Sequence, residues 1–100
     1  MRYLDIKTVN FLDGVTEIAD EACRGLEYVS SVTIPDSVTS IGNSAFSGCT
    51  GLKELIIPKT VKYLGQHAFS NCSGIKSVII EEGVEYVGRG AFNGCYAIND

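Results

Sequence analysis

Apolar positions along this chain recur at a constant interval of 23 residues. The clearest unit spans residues 38–60, VTSIGNSAFSGCTGLKELIIPKT, and residues 61–83, VKYLGQHAFSNCSGIKSVIIEEG, repeat it without an insertion. Residues 15–37, VTEIADEACRGLEYVSSVTIPDS, match the same register. A fixed period in this range is typical of a solenoid, in which each repeat forms one coil and stacks on its neighbours. The pattern therefore predicts a stack of coils.

The 100 residues are expected to form one domain with incomplete units at both ends. The first full unit is the least regular. Cys23 stands where later units have phenylalanine, and Leu26 stands where later units have cysteine. Terminal repeats of solenoids are commonly atypical in this way. The predicted units are a half unit at 1–14, full units at 15–37, 38–60 and 61–83, and a truncated unit at 84–100.

Each unit is predicted to contain three segments. A short extended piece such as VTSIG is followed by a turn such as NSAFSGC and then by a strand such as LKELIIP. We expect the turn to be a short helical or 3-10 segment, with Asn43 or Asp20 placed to cap it. Pro35 and Pro58 are expected to end their strands, since proline cannot donate to a ladder.

Stacking places chemically similar side chains in rows that run along the solenoid. One unit cannot bury its own apolar face, so the rows are expected to form a continuous core from coil to coil. In the third segment the inward side chains are Leu52, Leu55 and Ile57 in one unit and Ile75, Val78 and Ile80 in the next. The other predicted rows are Ile18, Ile41, Leu64 and Val87; Ala22, Ala45, Ala68 and Ala91; and Val32, Leu55 and Val78.

The cysteines follow the same register. Cys49, Cys72 and Cys95 occupy one position in three successive units, so their side chains are expected to point the same way. Parallel Cβ vectors do not suit a disulfide, even at the spacing of neighbouring strands. We expect buried, unpaired thiols that pack as small apolar groups. A metal-binding thiolate ladder is the alternative, and neither a CxxC pair nor a nearby histidine supports it.

The unit resembles the leucine-rich repeats of the BspA type. The resemblance rests on the strand pattern L/I-K-x-L/V-x-I-P and the turn pattern I-G-x-x-A-F-x-x-C, which cover nearly the whole chain. It implies an α/β repeat fold, a right-handed leucine-rich-repeat solenoid with a parallel sheet on one side and short helical or 3-10 turns. It also implies adhesion and the binding of host proteins, at the cell surface or in the secreted state.

Composition and charge exclude several classes of function. The chain has a formal net charge of -4, whereas a nucleic-acid binder usually needs a basic stripe. It contains no run of 18 or more apolar residues, so we expect no membrane insertion. The opening sequence has no apolar signal-peptide core. That absence contrasts with the location that the resemblance implies.

No pattern of catalytic or cofactor-binding residues is visible. His67 has Glu21, Ser44 and Gly90 as its equivalents, so we expect it to face solvent. Glu81, Glu82 and Glu85 cluster near a turn, where solvated charges explain them better than a calcium site does. The glycines follow the repeat and match no phosphate-binding motif. We therefore expect a non-enzymatic protein without cofactor or metal.

The outer face of the third segments is the predicted binding surface. Its central row combines polar and apolar side chains, and Ile56 and Ile79 are expected to form an apolar spot beside the lysines Lys53 and Lys76. Solenoids bind ligands with such faces, although β-branched residues also favour strands for conformational reasons alone. The row alternates with the inward positions. Its members are Asn10, Thr33, Ile56 and Ile79.

Tyr63 and Tyr86 form a second candidate face, because exposed tyrosines are enriched at binding sites. The leading hypothesis is a protein-interaction or adhesion module that binds a protein, or a glycan, on the strand face. The alternative is a structural segment of a longer solenoid, or a subunit that associates with itself through exposed sheet edges.

Overall fold

The computed structural model describes residues 7–98 and shows a stack of coils with parallel strands. Residues 1–6 of the predicted half unit, and residues 99–100, lie outside the described part. Each full unit contributes one strand from its first segment and one from its third. In chain order the strands are β1 (Thr8–Asn10), β2 (Glu17–Ile18), β3 (Ser31–Thr33), β4 (Ser40–Ile41), β5 (Glu54–Ile57), β6 (Tyr63–Leu64), β7 (Ser77–Ile80) and β8 (Tyr86–Val87).

Strands pair in the register that the repeat predicts. Ile18 lies opposite Ile41, and Ile56 lies opposite Ile79, each pair one repeat apart. The first-segment strands form a continuous four-stranded sheet in the order β2-β4-β6-β8. The third-segment strands form two separate two-stranded sheets, β1-β3 and β5-β7. The single sheet expected for this side is therefore interrupted between β3 and β5.

Proline contributes to this interruption. Between β5 and β7, the Glu81 N–H donates to the Ile57 carbonyl at 3.0 Å and closes the end of the ladder. Pro58 occupies the equivalent position one coil earlier and has no N–H to donate. Pro35 stands at the same position again, and β1 still pairs with β3 over three residues. Proline thus removes one hydrogen bond of the ladder, but it does not by itself explain why pairing fails between β3 and β5.

The turn segments are not helical, in contrast to the prediction. In the coil that begins at Val38, the N–H groups of Ser44, Phe46 and Gly48 donate to the next coil at 2.8–2.9 Å. The N–H groups between them bond three residues back within their own coil, as from Ala45 to Gly42. A helix cannot form, because every second donor belongs to the neighbouring coil and φ is positive at Ser44 and Gly48.

Asp20 and Asn43 accept hydrogen bonds from the next coil rather than capping their own turn. The Asp20 Oδ1 atom accepts from the Asn43 N–H at 2.8 Å, and the Asn43 Oδ1 atom accepts from the Gln66 N–H at 2.9 Å. Both side chains were predicted to cap their own turn, and that prediction was wrong because each one bonds to a backbone N–H of the next coil. The side chains satisfy a backbone donor one repeat away and thereby tie successive coils together.

Phenylalanine rings form the centre of the core. Phe46 and Phe69 are fully buried and stack with ring centroids 5.1 Å apart and planes at 1°. Phe69 stacks in turn on Phe92 at 5.6 Å. The predicted inward side chains Leu52, Leu55 and Ile57 are all buried, as the repeat pattern requires. The coil at 38–60 and the one that follows it therefore contain most of the fully buried side chains.

The predicted core rows end in exposed side chains at the last strands. Ile80 is 43% exposed and Val87 is 50% exposed, although both were predicted to face inward. They lie on β7 and β8, the terminal strands of their sheets, where no described coil covers them. Ala22, in the first full unit, is exposed for the same reason at the other end.

Glycine is needed where the turn of one coil approaches the coil before it. A Cβ atom on Gly65 would lie 2.5 Å from the Gly42 carbonyl carbon and 2.6 Å from the Asn43 nitrogen. Gly42 and Gly88 show the same close approach to backbone. The equivalent position in the first full unit is Ala19, an exposed residue. Glycine is therefore required at this repeat position only in a coil that packs against a preceding coil.

We predict that Gly65→Ala destabilises the fold by about 1–3 kcal/mol, the usual cost of overpacking. The matched control is Ala19→Gly at the same repeat position, for which we expect a loss below about 1 kcal/mol from chain entropy. Urea denaturation followed by circular dichroism measures both. Equal losses in the two variants would contradict this account of coil spacing.

Candidate functional site

Two isoleucines form the apolar centre of the outer strand face. Ile56 on β5 lies directly opposite Ile79 on β7, and their side chains are 55% and 52% exposed. The next row of the same face is exposed as well, and its members are Thr8, Ser31, Glu54 and Ser77. Strand pairing holds the two isoleucines side by side, so they present one continuous surface.

The structure places the other predicted residues around this pair. Lys53 and Lys76 are exposed and adjacent, since the Lys76 N–H donates to the Lys53 carbonyl at 2.8 Å. Asn10 pairs with Thr33 on the separate β1-β3 sheet. The predicted row is thus divided into two pairs by the break between β3 and β5.

A cleft lies beside this break, and the sequence pattern did not reveal it. Its volume is about 250 Å³. The walls are mostly apolar and include Ile56, while two carboxylates belong to its lining. Pro58 removes a ladder donor at this point, but Pro35 stands at the same repeat position beside the intact β1-β3 pair, so proline is not by itself a sequence signal for the cleft. The lining residues are Val32, Thr33, Ile34, Asp36, Ile56, Pro58 and Glu81.

The cleft adjoins an acidic surface. Asp36 and Glu81 also line a wider hollow together with Lys59 and Glu82, and all four residues are exposed. The Glu81 Oε1 atom accepts a hydrogen bond from the Lys59 backbone N–H at 3.1 Å, which holds this carboxylate across the coils. Over residues 7–98 the one ion pair joins Arg24 to Glu21. The carboxylates at the cleft are therefore not paired with a lysine or arginine of that region.

The tyrosines predicted as a second face do contact each other. Tyr63 on β6 lies opposite Tyr86 on β8, with ring centroids 4.9 Å apart and planes at 8°. Both rings are exposed. They form an aromatic surface on the four-stranded sheet, separate from the isoleucine pair on β5 and β7.

The thiols are unpaired, and three of them are buried. The thiols of Cys49 and Cys72 each donate to a backbone carbonyl of the preceding coil at 3.1 Å. Burial, with a smaller effect from Cys49, raises the pKa of Cys23 to about 11. The neighbouring Cys49 thiol, together with burial, holds the pKa of Cys72 well above its ordinary range. Burial also raises the pKa of Cys95. Neutral thiols of this kind are poor nucleophiles.

Other chemical candidates are few. His67 is exposed, as expected, and adopts a φ of 57°. Between residues 7 and 98, no three or more histidine, cysteine, aspartate or glutamate side chains are grouped so that they could hold a metal ion. That same range contains no helix that is long and apolar enough to cross a bilayer.

The repeat is matched by a model of the BspA type leucine rich repeat region, in six copies over residues 2–100. The chain belongs to this family. A crystal structure of a leucine-rich repeat protein from Bacteroides ovatus ATCC 8483 is similar, with 27% identity and a TM-score of 0.62. The similarity covers 93% of this chain but 30% of that protein.

A second crystal structure, the T. pallidum leucine rich repeat protein TpLRR, matches at 18% identity and a TM-score of 0.43. That match covers 93% of this chain and 78% of that protein. Curated protein sequences gave no significant match. Leucine-rich repeats generally serve as protein-interaction modules, and the match of this BspA-type chain points to no catalytic family.

We predict that the stability of this leucine-rich repeat chain falls as the pH rises from about 9 to about 11. The ordinary pKa of a cysteine is 9.0, and Cys23 is raised to about 11 in the fold. Above pH 9 the unfolded chain loses the proton first, so the equilibrium shifts toward unfolding. The free energy of unfolding, measured at each pH by urea denaturation, reports the effect.

The control is Cys23→Ala, which removes this proton linkage and leaves those of Cys72 and Cys95 in place. We expect a shallower loss of stability between pH 9 and 11 in the variant. An identical slope in both proteins would show that Cys23 keeps its ordinary pKa in the fold.

Proposed function

We propose that this chain is a non-enzymatic protein-binding module whose partner docks on the outer strand face. The observation that carries the proposal is the exposed pair Ile56 and Ile79 next to an apolar cleft. Exposed apolar surface bordered by polar residues commonly marks interaction sites. Strand conformation alone explains β-branched residues at these positions, but it does not explain a cleft beside them.

The isoleucine pair alone is too small to bind a partner tightly. Fully burying one isoleucine contributes about 1.5–3 kcal/mol, and each of these is already half covered. Together they supply roughly 2–3 kcal/mol, whereas micromolar affinity requires about 8 kcal/mol. A partner must therefore also fill the cleft and contact the charged side chains around it.

The family resemblance supports a role in adhesion, in which the chain acts at the cell surface or in the secreted state on a host protein. A glycan is the alternative ligand. The stacked rings of Tyr63 and Tyr86 favour it, because they offer an exposed aromatic surface. We rank that surface second, since the isoleucine pair adjoins a cleft.

Self-association is the second candidate function, and the exposed Ile80 and Val87 at the last strands favour it. Stacking of two copies end to end in the repeat geometry is opposed by Ala19. A Cβ atom at this repeat position lies within 2.8 Å of the preceding backbone in each of the coils that stack. Static light scattering over a concentration series tests this candidate, and a monomer at all concentrations speaks against it.

We predict that replacing both Ile56 and Ile79 by aspartate reduces capture of protein ligands at least tenfold. Two carboxylates would then have to be desolvated where apolar side chains now contact the partner. Capture from an array of host proteins measures the effect, and circular dichroism confirms the fold.

The matched control is Leu12→Asp, which alters an 80% exposed apolar residue outside the patch. This variant should retain capture. Equal capture by the wild type and the folded double variant would exclude the isoleucine pair as the binding site.

A further inference from the structure

Charge changes sign along the outer strand face. Lys53 and Lys76 precede β5 and β7, whereas Glu81 and Glu82 follow β7 and Asp36 follows β3. All five side chains are exposed. Ile56 and Ile79 lie between the two groups. A strand rises about 3.3 Å per residue, so the six steps from Lys76 to Glu82 span at most about 20 Å.

The two charged ends act separately on a partner. A distance of about 20 Å exceeds the screening length of about 8 Å at physiological ionic strength. At the acidic end the three carboxylates of Asp36, Glu81 and Glu82 line a hollow together with Lys59, and the Lys62 ammonium lies near Gly83. The acidic end therefore keeps a net negative charge that attracts a cationic group.

The cleft between β3 and β5 is suited to one long side chain. Its volume of about 250 Å³ is below the roughly 300–1,000 Å³ of typical small-molecule sites. Val32, Ile56 and Pro58 offer apolar walls, and Asp36 and Glu81 contribute carboxylates to the same lining. Lysine and arginine side chains combine an aliphatic stem with a charged head, which matches apolar walls with acidic groups.

We propose that the strand face binds an extended polypeptide segment with a lysine or arginine in this cleft. The segment places an acidic residue, about six positions away, beside Lys53 and Lys76. Extended chain spans about 3.3–3.6 Å per residue, so six residues cover the distance between the two charged ends. The inference rests on the proposed function, because it specifies the partner of the same face.

The lining of the cleft suits this ligand better than an inorganic cation. No group of three or more potential metal ligands is assembled at the cleft or elsewhere in the described chain, 7–98. A divalent cation would need more oxygen ligands than the cleft brings together. A guanidinium or ammonium group needs only one or two carboxylates and gains from the apolar walls.

Titration with synthetic peptides, followed by two-dimensional NMR of the labelled protein, tests the proposal. The probe has seven residues, with arginine first and glutamate last, and threonine and valine alternate between them so that the valines share a face with the two charged ends. A second peptide has glutamine at both ends. We expect the charged probe to bind at least tenfold more tightly, with shifts at Ile56, Ile79 and the cleft residues.

Two neutral variants separate the ends of the site. Asp36→Asn combined with Glu81→Gln should reduce the preference for the charged probe by the share that its arginine contributes, because the amides keep the shape of the carboxylates without their charge. Lys53→Gln combined with Lys76→Gln should reduce the same preference by the share that its glutamate contributes. Glu85→Gln is the control, an exposed acid that is not part of the cleft lining, and should change neither.

The outcomes distinguish this inference from the proposed function. Equal binding of both peptides, or binding of neither, contradicts the charge-directed site. Equal binding that is lost when Ile56 and Ile79 are replaced by aspartate leaves the strand face as the binding surface. A preference for the charged probe that keeps its full size in both neutral double variants also overturns the inference.

Discussion

The fold depends on backbone hydrogen bonds that pass from each coil to the next. In the turn segments every second N–H group donates to the following coil, as from Phe46 to Ala68 at 2.8 Å. A single coil cannot satisfy these groups, and leaving them buried and unpaired would cost more than a typical hydrogen bond contributes. Stacking is thus a condition for forming each coil. Gly42, Gly65 and Gly88 follow from it, because the bonds bring the coils too close for a Cβ atom.

The same constraint determines which surfaces are free to bind. Side chains that point inward are enclosed by the neighbouring coils, and the backbone of the turns is used between coils. The outer strand face is left free to bind a partner. Its surface is continuous wherever neighbouring strands are paired. The break between β3 and β5 interrupts it, so the cleft arises at the one place in the described third segments where strand pairing fails between successive units. Ile56 lies at that place, which joins the apolar patch and the cleft in one site.

Much of this organisation could be predicted from the sequence, because the 23-residue period fixes which side chains share a row. The buried rows, the thiols stacked without disulfides and the exposed isoleucine pair all follow from it. The turn geometry could not be predicted. Ser44 and His67 adopt positive φ without being glycine, and only the hydrogen bonds to the next coil reveal why. The cleft was also missed, since Pro35 and Pro58 look equivalent in sequence while only one coincides with a break. Ile80 was misplaced because a periodic pattern assigns the same burial to every unit, including the last full one.

Amide hydrogen exchange, resolved by residue, tests most directly whether bonds between coils hold the turns. The account predicts slow exchange at Ser44, Phe46 and Gly48, whose N–H groups donate to the next coil, and at their equivalents His67, Phe69 and Asn71. Phe92 occupies the same repeat position in the last coil and has no backbone acceptor within residues 7–98, so its amide should exchange fast. Fast exchange at Phe46 and Phe69, or protection of Phe92 equal to theirs, would contradict the account.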